Sequence, residues 1–242
     1  MKFGNLIIFF RNLIRGSLTL SFIYRSIKFI FIEPTLSTFR YYLIYTPKYD
    51  VENKVNFKNY NENNFFLSTL KKSKLYLEYG SGNSSLVAKS ENKIFFSVES
   101  DKNFFNFMKK NFSLKNYYLK DLGIVKYYSH PIFFNLKKNS LRVKALKYSN
   151  DILKIFEKRN IVPDFVLVDG RYRVLTSLCL YKFFRKNKKN FIIIVDDYRD
   201  RKYYHILNKF FKVKIVGRFG VLYKLKTKKT LKLIDKYSLD YR

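Results

Sequence analysis

The sequence predicts an α/β fold: a doubly wound, mostly parallel sheet closed by a C-terminal antiparallel hairpin and preceded by an N-terminal helical extension. Three observations carry this expectation. From Lys74 onward, apolar runs of strand length alternate with longer stretches of helical character. The first run passes directly into a glycine-bearing turn, Gly80-Ser81-Gly82, and later runs end in acids, Glu99, Asp169 and Asp196. Alternation of this kind means right-handed βαβ units with their ligands at the carboxyl ends of the strands.

Residues 1–45 carry two apolar stretches, Leu6 to Phe10 and Leu18 to Ile32, interrupted by Arg11, Arg15, Arg25 and Lys28. No uncharged run reaches the roughly 18 residues of a spanning helix, and no uninterrupted apolar centre with a small-residue cleavage site marks a signal peptide. Basic, aromatic-rich amphipathic helices are the expectation, suited either to an anionic membrane surface or to packing on the remaining domain. Residues 46–73, polar and Asn-rich around Asn59 to Asn64, read as a linker or loop. The domain proper is expected over 74–242. Its strands are 75–79, 94–99, 124–128, 164–169 and 191–196, with helices at 84–90, 101–111, about 143–159, 173–186 and 200–211. Val213 to Leu225 holds two strand-like runs around Gly217 to Gly220 and reads as the closing hairpin.

Composition bounds the function. At 242 residues the chain is long enough for a substantial core, and 47% hydrophobic with 19% aromatic residues excludes wholesale disorder. The formal net charge is +31, which favours encounter with nucleic acid, anionic membranes or phosphorylated molecules. The lysines are scattered, however, with only short runs such as Lys186 to Lys189 and Lys226 to Lys229, so a generic basic surface is favoured over a dedicated nucleic-acid groove. The scarcity of alanine, with Ala88 and Ala145 alone, and the abundance of Lys, Asn, Ile, Phe and Tyr match AT-rich codon usage. Cys179 is the sole cysteine, which excludes an internal disulfide and a Cys-based zinc cluster and points to a reducing, cytoplasmic compartment, with peripheral membrane contact through residues 1–45 as the alternative placement.

The stretch Leu75 to Leu86, LYLEYGSGNSSL, places an acid inside the first strand and two glycines at its end. Glycines there let backbone approach a ligand closely, and Glu99, about twenty residues after Gly80, stands at the spacing from which an acid accepts hydrogen bonds from a ribose diol. A nucleoside cofactor site is the leading reading. A nicotinamide dehydrogenase is the rival, but it wants G-x-G-x-x-G, and Ser84 and Ser85 stand where its third glycine would let the helix pack. Glu78 inside the strand would also repel a pyrophosphate.

Residues 74–225 resemble the class I S-adenosylmethionine-dependent methyltransferases, which are Rossmann-like. The resemblance rests on Glu78-Tyr79-Gly80-Ser81-Gly82, on Val98-Glu99-Ser100-Asp101, and on the acidic ends of the fourth and fifth strands. It implies S-adenosylmethionine as cofactor, with Glu78 near the methionine amino group, Gly80, Ser81 and Gly82 making room for the cofactor, and Glu99 on the ribose hydroxyls. Ser84 replaces the family's usual third glycine and is placed to cap the helix.

Asp169, Asp196 and Asp197 should converge near the reactive end of such a cofactor. Three convergent acids need a compensating cation or substrate amine, and oxygen ligands suit Mg²⁺ or a similar hard ion, which would acidify a substrate hydroxyl. This looks like the cation-dependent and macrolide-sugar O-methyltransferases, although Gly170-Arg171-Tyr172-Arg173 departs from their continuation. The alternatives are a turn at Asp169-Gly170, or pairing of Asp196 and Asp197 with Arg171, Arg173, Arg199 or Arg201. Arg171 and Arg173 are also candidates to grip a substrate carboxylate or phosphate. His130 is the candidate general base, with a surface-loop role as the alternative; His205 and Cys179 read as helix residues. The expected activity is O-methylation of a small molecule, sugar or glycan precursor. An RNA or tRNA methyltransferase and a noncatalytic binding module are the alternatives. The Asn/Asp-Pro-Pro-aromatic motif of base-amine methyltransferases is absent after the fourth strand, where Asp169 to Tyr172 stand instead.

Overall fold

A computed structural model describes residues 49–122, 125–126, 130–131, 138–226 and 233–240. The expected extension over 1–45 lies outside the described residues.

The central element is a seven-stranded sheet. Its strands are β1 (Leu75–Tyr79), β2 (Ile94–Glu99), β3 (Tyr117–Leu119), β6 (Phe165–Val168), β7 (Ile192–Val195), β8 (Phe211–Val216) and β9 (Phe219–Leu225), in the spatial order β3-β2-β1-β6-β7-β9-β8. β4 (Val125–Lys126) and β5 (His130–Pro131) form a separate antiparallel ribbon. From β3 to β7 every pairing is parallel, with Glu78 opposite Ser97 and Leu167; β9 then runs antiparallel to β7, and β8 pairs with β9 as the expected hairpin. The strand order reverses between β1 and β6, and the crevice at such a reversal is where open α/β sheets bind ligands.

Both faces of the sheet are covered, which is why its strands read as near-continuous apolar runs. On one face Leu77, Tyr79, Val98, Val166, Val168 and Ile193 pack against α4 (Lys138–Arg159), α5 (Arg173–Asn187) and the 3₁₀ helix Lys202–Lys209. On the other, the alternate residues Tyr76, Phe95, Phe165 and Leu167 meet α1 (Tyr60–Lys72), α2 (Asn83–Ser90) and α3 (Lys102–Phe112). A short α6 (Leu233–Tyr237) packs on the first face through Tyr237.

Two expectations are corrected. Residues 60–72, read as part of a linker, form α1, whose Phe66 and Leu70 are fully buried. Burial of such side chains contributes roughly 1.5–3 kcal/mol each, so Asn61, Asn64 and Ser68 form the solvent face of an amphipathic helix while Glu62 and Thr69 are buried with its apolar face. The third parallel strand is Tyr117–Leu119 rather than 124–128: Tyr117, Tyr118 and Leu119 pair with Ser97, Val98 and Glu99, while Val125–Lys126 pairs with His130–Pro131. A three-residue edge strand is too short to leave a periodic signature, and the more apolar run downstream drew the assignment.

Candidate functional site

The turn after β1 is built on contacts between backbones. Gly80 has φ +92, a conformation that L side chains rarely adopt, and its N–H donates to the Val98 carbonyl at 2.9 Å. A Cβ at Gly80 would lie 2.8 Å from the Gly170 nitrogen and 2.9 Å from the Asp169 carbonyl carbon, so the β1 and β6 turns are pressed together. At Gly170 a Cβ would collide with the Tyr148 hydroxyl, which α4 inserts against the same junction. A Cβ at Gly82 would meet nothing within 4 Å. Beside Gly82 the turn is therefore open.

Glu99 and Ser81 lock this turn to the end of β2. One Glu99 oxygen accepts from the Ser81 N–H at 3.0 Å and the Ser81 hydroxyl at 2.7 Å; the other accepts from the N–H groups of Ser100 at 2.6 Å and Asp101 at 2.9 Å. Ser81 Oγ also lies 2.7 Å from the Tyr117 hydroxyl. Burial raises the Glu99 carboxyl above the usual range, and the donors at Asp101, Ser81 and Ser100 restrain that rise. Gly80, Ser81, Gly82 and Glu99 are thus brought together, with both Glu99 oxygens accepting from the chain itself, so a ribose diol would take the place of the Ser81 donors.

Glu78 is positioned differently from the expectation. It is fully buried beneath α2, and its carboxylate accepts from the hydroxyls of Tyr76 at 2.9 Å, Ser84 at 2.7 Å and Ser85. Burial raises its carboxyl, against the pull of those hydroxyls. Ser84 accordingly binds Glu78 rather than capping α2, and Ser85 accepts from the Gly82 N–H at 3.1 Å. The residues that break the dinucleotide glycine pattern are the ones that tie strand acid to helix start. In this arrangement Glu78 anchors the turn from below.

Asp169, Asp196 and Asp197 converge at the ends of β6 and β7 as expected, but around a guanidinium. Arg173, with its side chain 7% exposed, lies 2.8 Å from Asp169, 3.5 Å from Asp197 and 3.8 Å from Asp196. It also donates to the carbonyls of Asp196 at 2.6 Å, Gly170 at 3.0 Å and Asp169 at 3.2 Å. Arg218, from the β8–β9 turn, pairs with Asp196 at 2.6 Å, and Arg201 with Asp197 at 2.7 Å. Burial opposes the charge on Arg173, but Asp169, Tyr204, Asp196 and Asp197 together more than offset it and raise its affinity for the proton. Burial and the adjacent Asp169 push the Asp196 carboxyl up to about 8, against the pull of Arg173 and Arg218. The backbone joins in: Tyr172 and Asp197, both non-glycine, stand at φ 54 and φ 56.

The carboxylates do not fit a divalent cation as arranged. Among the described residues, no group of three His, Cys, Asp or Glu is disposed to hold a metal ion, and Arg173, Arg201 and Arg218 pair with the three aspartates instead. Pairing of the aspartates with arginines is the alternative that the geometry follows, with Arg173 and Arg201 as partners and Arg199 instead held by Asp200 at 2.9 Å. Of the three acids Asp169 is the most accessible, at 35% side-chain exposure against 28% for Asp197 and 3% for Asp196. His130 pairs with Lys126 through the backbone of the ribbon, and its side chain lies outside the described ones. His205 stands 3.2 Å from the Tyr198 carbonyl, and Cys179 is buried, its thiol pushed up to about 12 by that burial.

Sequence reasoning missed Tyr117, Tyr148 and Arg218. Tyrosines are so frequent in this chain that their presence carries no signal, and Arg218 becomes a partner of Asp196 only once the hairpin folds back over β7. Among the described residues no helix is long and apolar enough to cross a membrane.

No family model and no curated protein matches the sequence. Among solved structures, the chain is similar to a methyltransferase-like protein from Silicibacter pomeroyi, with a TM-score of 0.60 and 20% identity over 79% of this chain and 100% of that one. It also aligns with an O-methyltransferase from Bacillus cereus in complex with SAH, with a TM-score of 0.41 and 13% identity over 84% of this chain and 96% of that one. The first likeness establishes the fold: the chain shares the α/β fold of that methyltransferase-like protein. Chemistry has to be argued from the site itself.

Proposed function

We propose that the chain is an S-adenosylmethionine-dependent methyltransferase that acts on a hydroxyl oxygen of a small molecule, sugar or glycan precursor. The observation that carries this reading is the coupling of the Gly80-Ser81-Gly82 turn to Glu99: a glycine turn with open space beside it, joined through Ser81 to a buried acid at the end of the neighbouring strand. The fold shared with the methyltransferase-like protein supports it. When bound, the cofactor supplies a methyl group on a positively charged sulfur, open to in-line attack. The chain's own residues have four tasks. Glu99 and Ser81 hold the ribose side, Gly80 and Gly82 keep the backbone close without side chains in the way, and Asp169, the accessible acid beside the β1 turn, accepts the proton that leaves the acceptor hydroxyl. Arg173 orients Asp169 through the 2.8 Å contact between them.

The test is transfer of isotopically labelled methyl from S-adenosylmethionine to a panel of sugars, hydroxylated small molecules and total RNA. Label in a hydroxylated small molecule, lost in Asp169→Asn with cofactor affinity retained, supports the proposal. Label in RNA alone would move the acceptor to the basic surface, and label nowhere, with no cofactor bound, would leave the fold as a binding platform.

A further inference from the structure

Three carboxylates in one place demand compensating charge, and here the count closes without a metal. Asp169, Asp196 and Asp197 are matched by Arg173, Arg201 and Arg218, three against three. Arg173 is the central member. It approaches all three acids, and its remaining hydrogen-bonding capacity is spent on carbonyls of both strand ends: Asp169 and Gly170 after β6, and Asp196 after β7. A divalent ion entering this cluster would have to displace Arg173 from Asp169 and Asp197 and Arg218 from both Asp196 oxygens, would add two positive charges beside three arginines, and would leave a buried guanidinium without its partners. Breaking a buried pair in this way costs several kcal/mol, comparable to what a weak oxygen site gains from its ion.

We infer that Arg173 is a built-in cation: it occupies the position of a metal between Asp169, Asp196 and Asp197, clamps the ends of β6 and β7 together, and closes the site to divalent ions. It is a positioning residue rather than a catalytic one, since it acts through the carboxylates it holds. A fixed guanidinium also differs from a metal in what it offers the neighbouring site. It orients Asp169 without acidifying a bound hydroxyl, so deprotonation falls to the carboxylate.

The experiment is titration of the full chain with Mn²⁺, followed by calorimetry and by loss of the free-ion paramagnetic signal, for wild type, Arg173→Gln and Asp169→Asn. Wild type is expected to show no stoichiometric uptake at millimolar Mn²⁺, whereas Arg173→Gln, verified as folded by circular dichroism, gains affinity by roughly tenfold or more as the oxygens become free. Stoichiometric uptake by wild type that Asp169→Asn abolishes would overturn the inference, as would a folded Arg173→Gln that gains nothing. If Arg173→Gln does not fold, the wild-type titration decides alone, uptake against the inference and none for it. For the reaction proposed above, the same arrangement predicts turnover indifferent to chelators. The titration reads the site whether or not methyl is transferred, so the two readings fail separately.

Discussion

Gly80 is where the largest effect of the smallest change is expected. Its φ of +92 and the 2.8 Å that a Cβ would leave to the Gly170 nitrogen mean that alanine meets strain and backbone collision together. Gly80→Ala is expected to cost about 2 kcal/mol or more in urea unfolding and to abolish cofactor binding, whereas Gly82→Ala, facing open space, should leave stability nearly unchanged. Glu78 gives a pH test. Its carboxyl is raised by burial above the unperturbed value of 4.5, so the folded state binds the proton more tightly than the unfolded chain. The stability this linkage contributes is fully present below pH 4.5 and is lost as pH rises through the raised folded value. The difference in unfolding free energy between wild type and Glu78→Gln should therefore shrink, then reverse against wild type, as pH climbs through that window. A difference flat with pH would mean that the three hydroxyls fully offset the burial.

At the scale of elements, α1 shows what the sequence concealed and where the hint lay. Asn59 and Glu62 form a capping pair, with the Asn59 N–H donating to Glu62 at 3.1 Å, and the apolar Phe65-Phe66-Leu67 follow at once. The run of asparagines outweighed that signal. Glu62 does more than cap: fully buried, it accepts the Arg218 N–H at 2.6 Å and so ties α1 to the β8–β9 turn, whose arginine reaches Asp196. Glu62→Ala leaves these donors unmet, at about 1–3 kcal/mol. The expected result is a lower urea midpoint with an unchanged slope, and faster hydrogen exchange at Arg218. Exchange as slow as in wild type would show that the hairpin holds without α1. The strands β1, β2, β6 and β7 were legible because burial on both faces writes continuous apolar runs, and the hairpin because its glycines mark the turn. β3 was not, since three residues at an edge draw their stability from Ser97 to Glu99 beside them. The aspartates were legible as a cluster, but their partners were not all so, because Arg218 comes from a turn distant in sequence that only the antiparallel closure delivers.

For the whole molecule the net charge of +31 dominates everything that is not sheet. Arg173, Arg201 and Arg218 are matched by the three aspartates, so the excess positive charge is carried by the other cations and repels itself. Added salt should therefore stabilise the fold, raising the thermal midpoint as the Debye length falls from about 10 Å toward 3 Å, and a midpoint indifferent to salt would place the charges too far apart to matter. The central claim is that the glycine turn and Glu99 form a nucleoside cofactor site of the methyltransferase kind, and calorimetric titration of the full chain with S-adenosylmethionine and with NAD, for wild type and Glu99→Ala, tests it most directly. The expected result is binding of S-adenosylmethionine alone, weakened more than about tenfold in Glu99→Ala, the equivalent of some 1.4 kcal/mol. Binding of NAD in its place, or an affinity for S-adenosylmethionine that Glu99→Ala leaves unchanged, would contradict it.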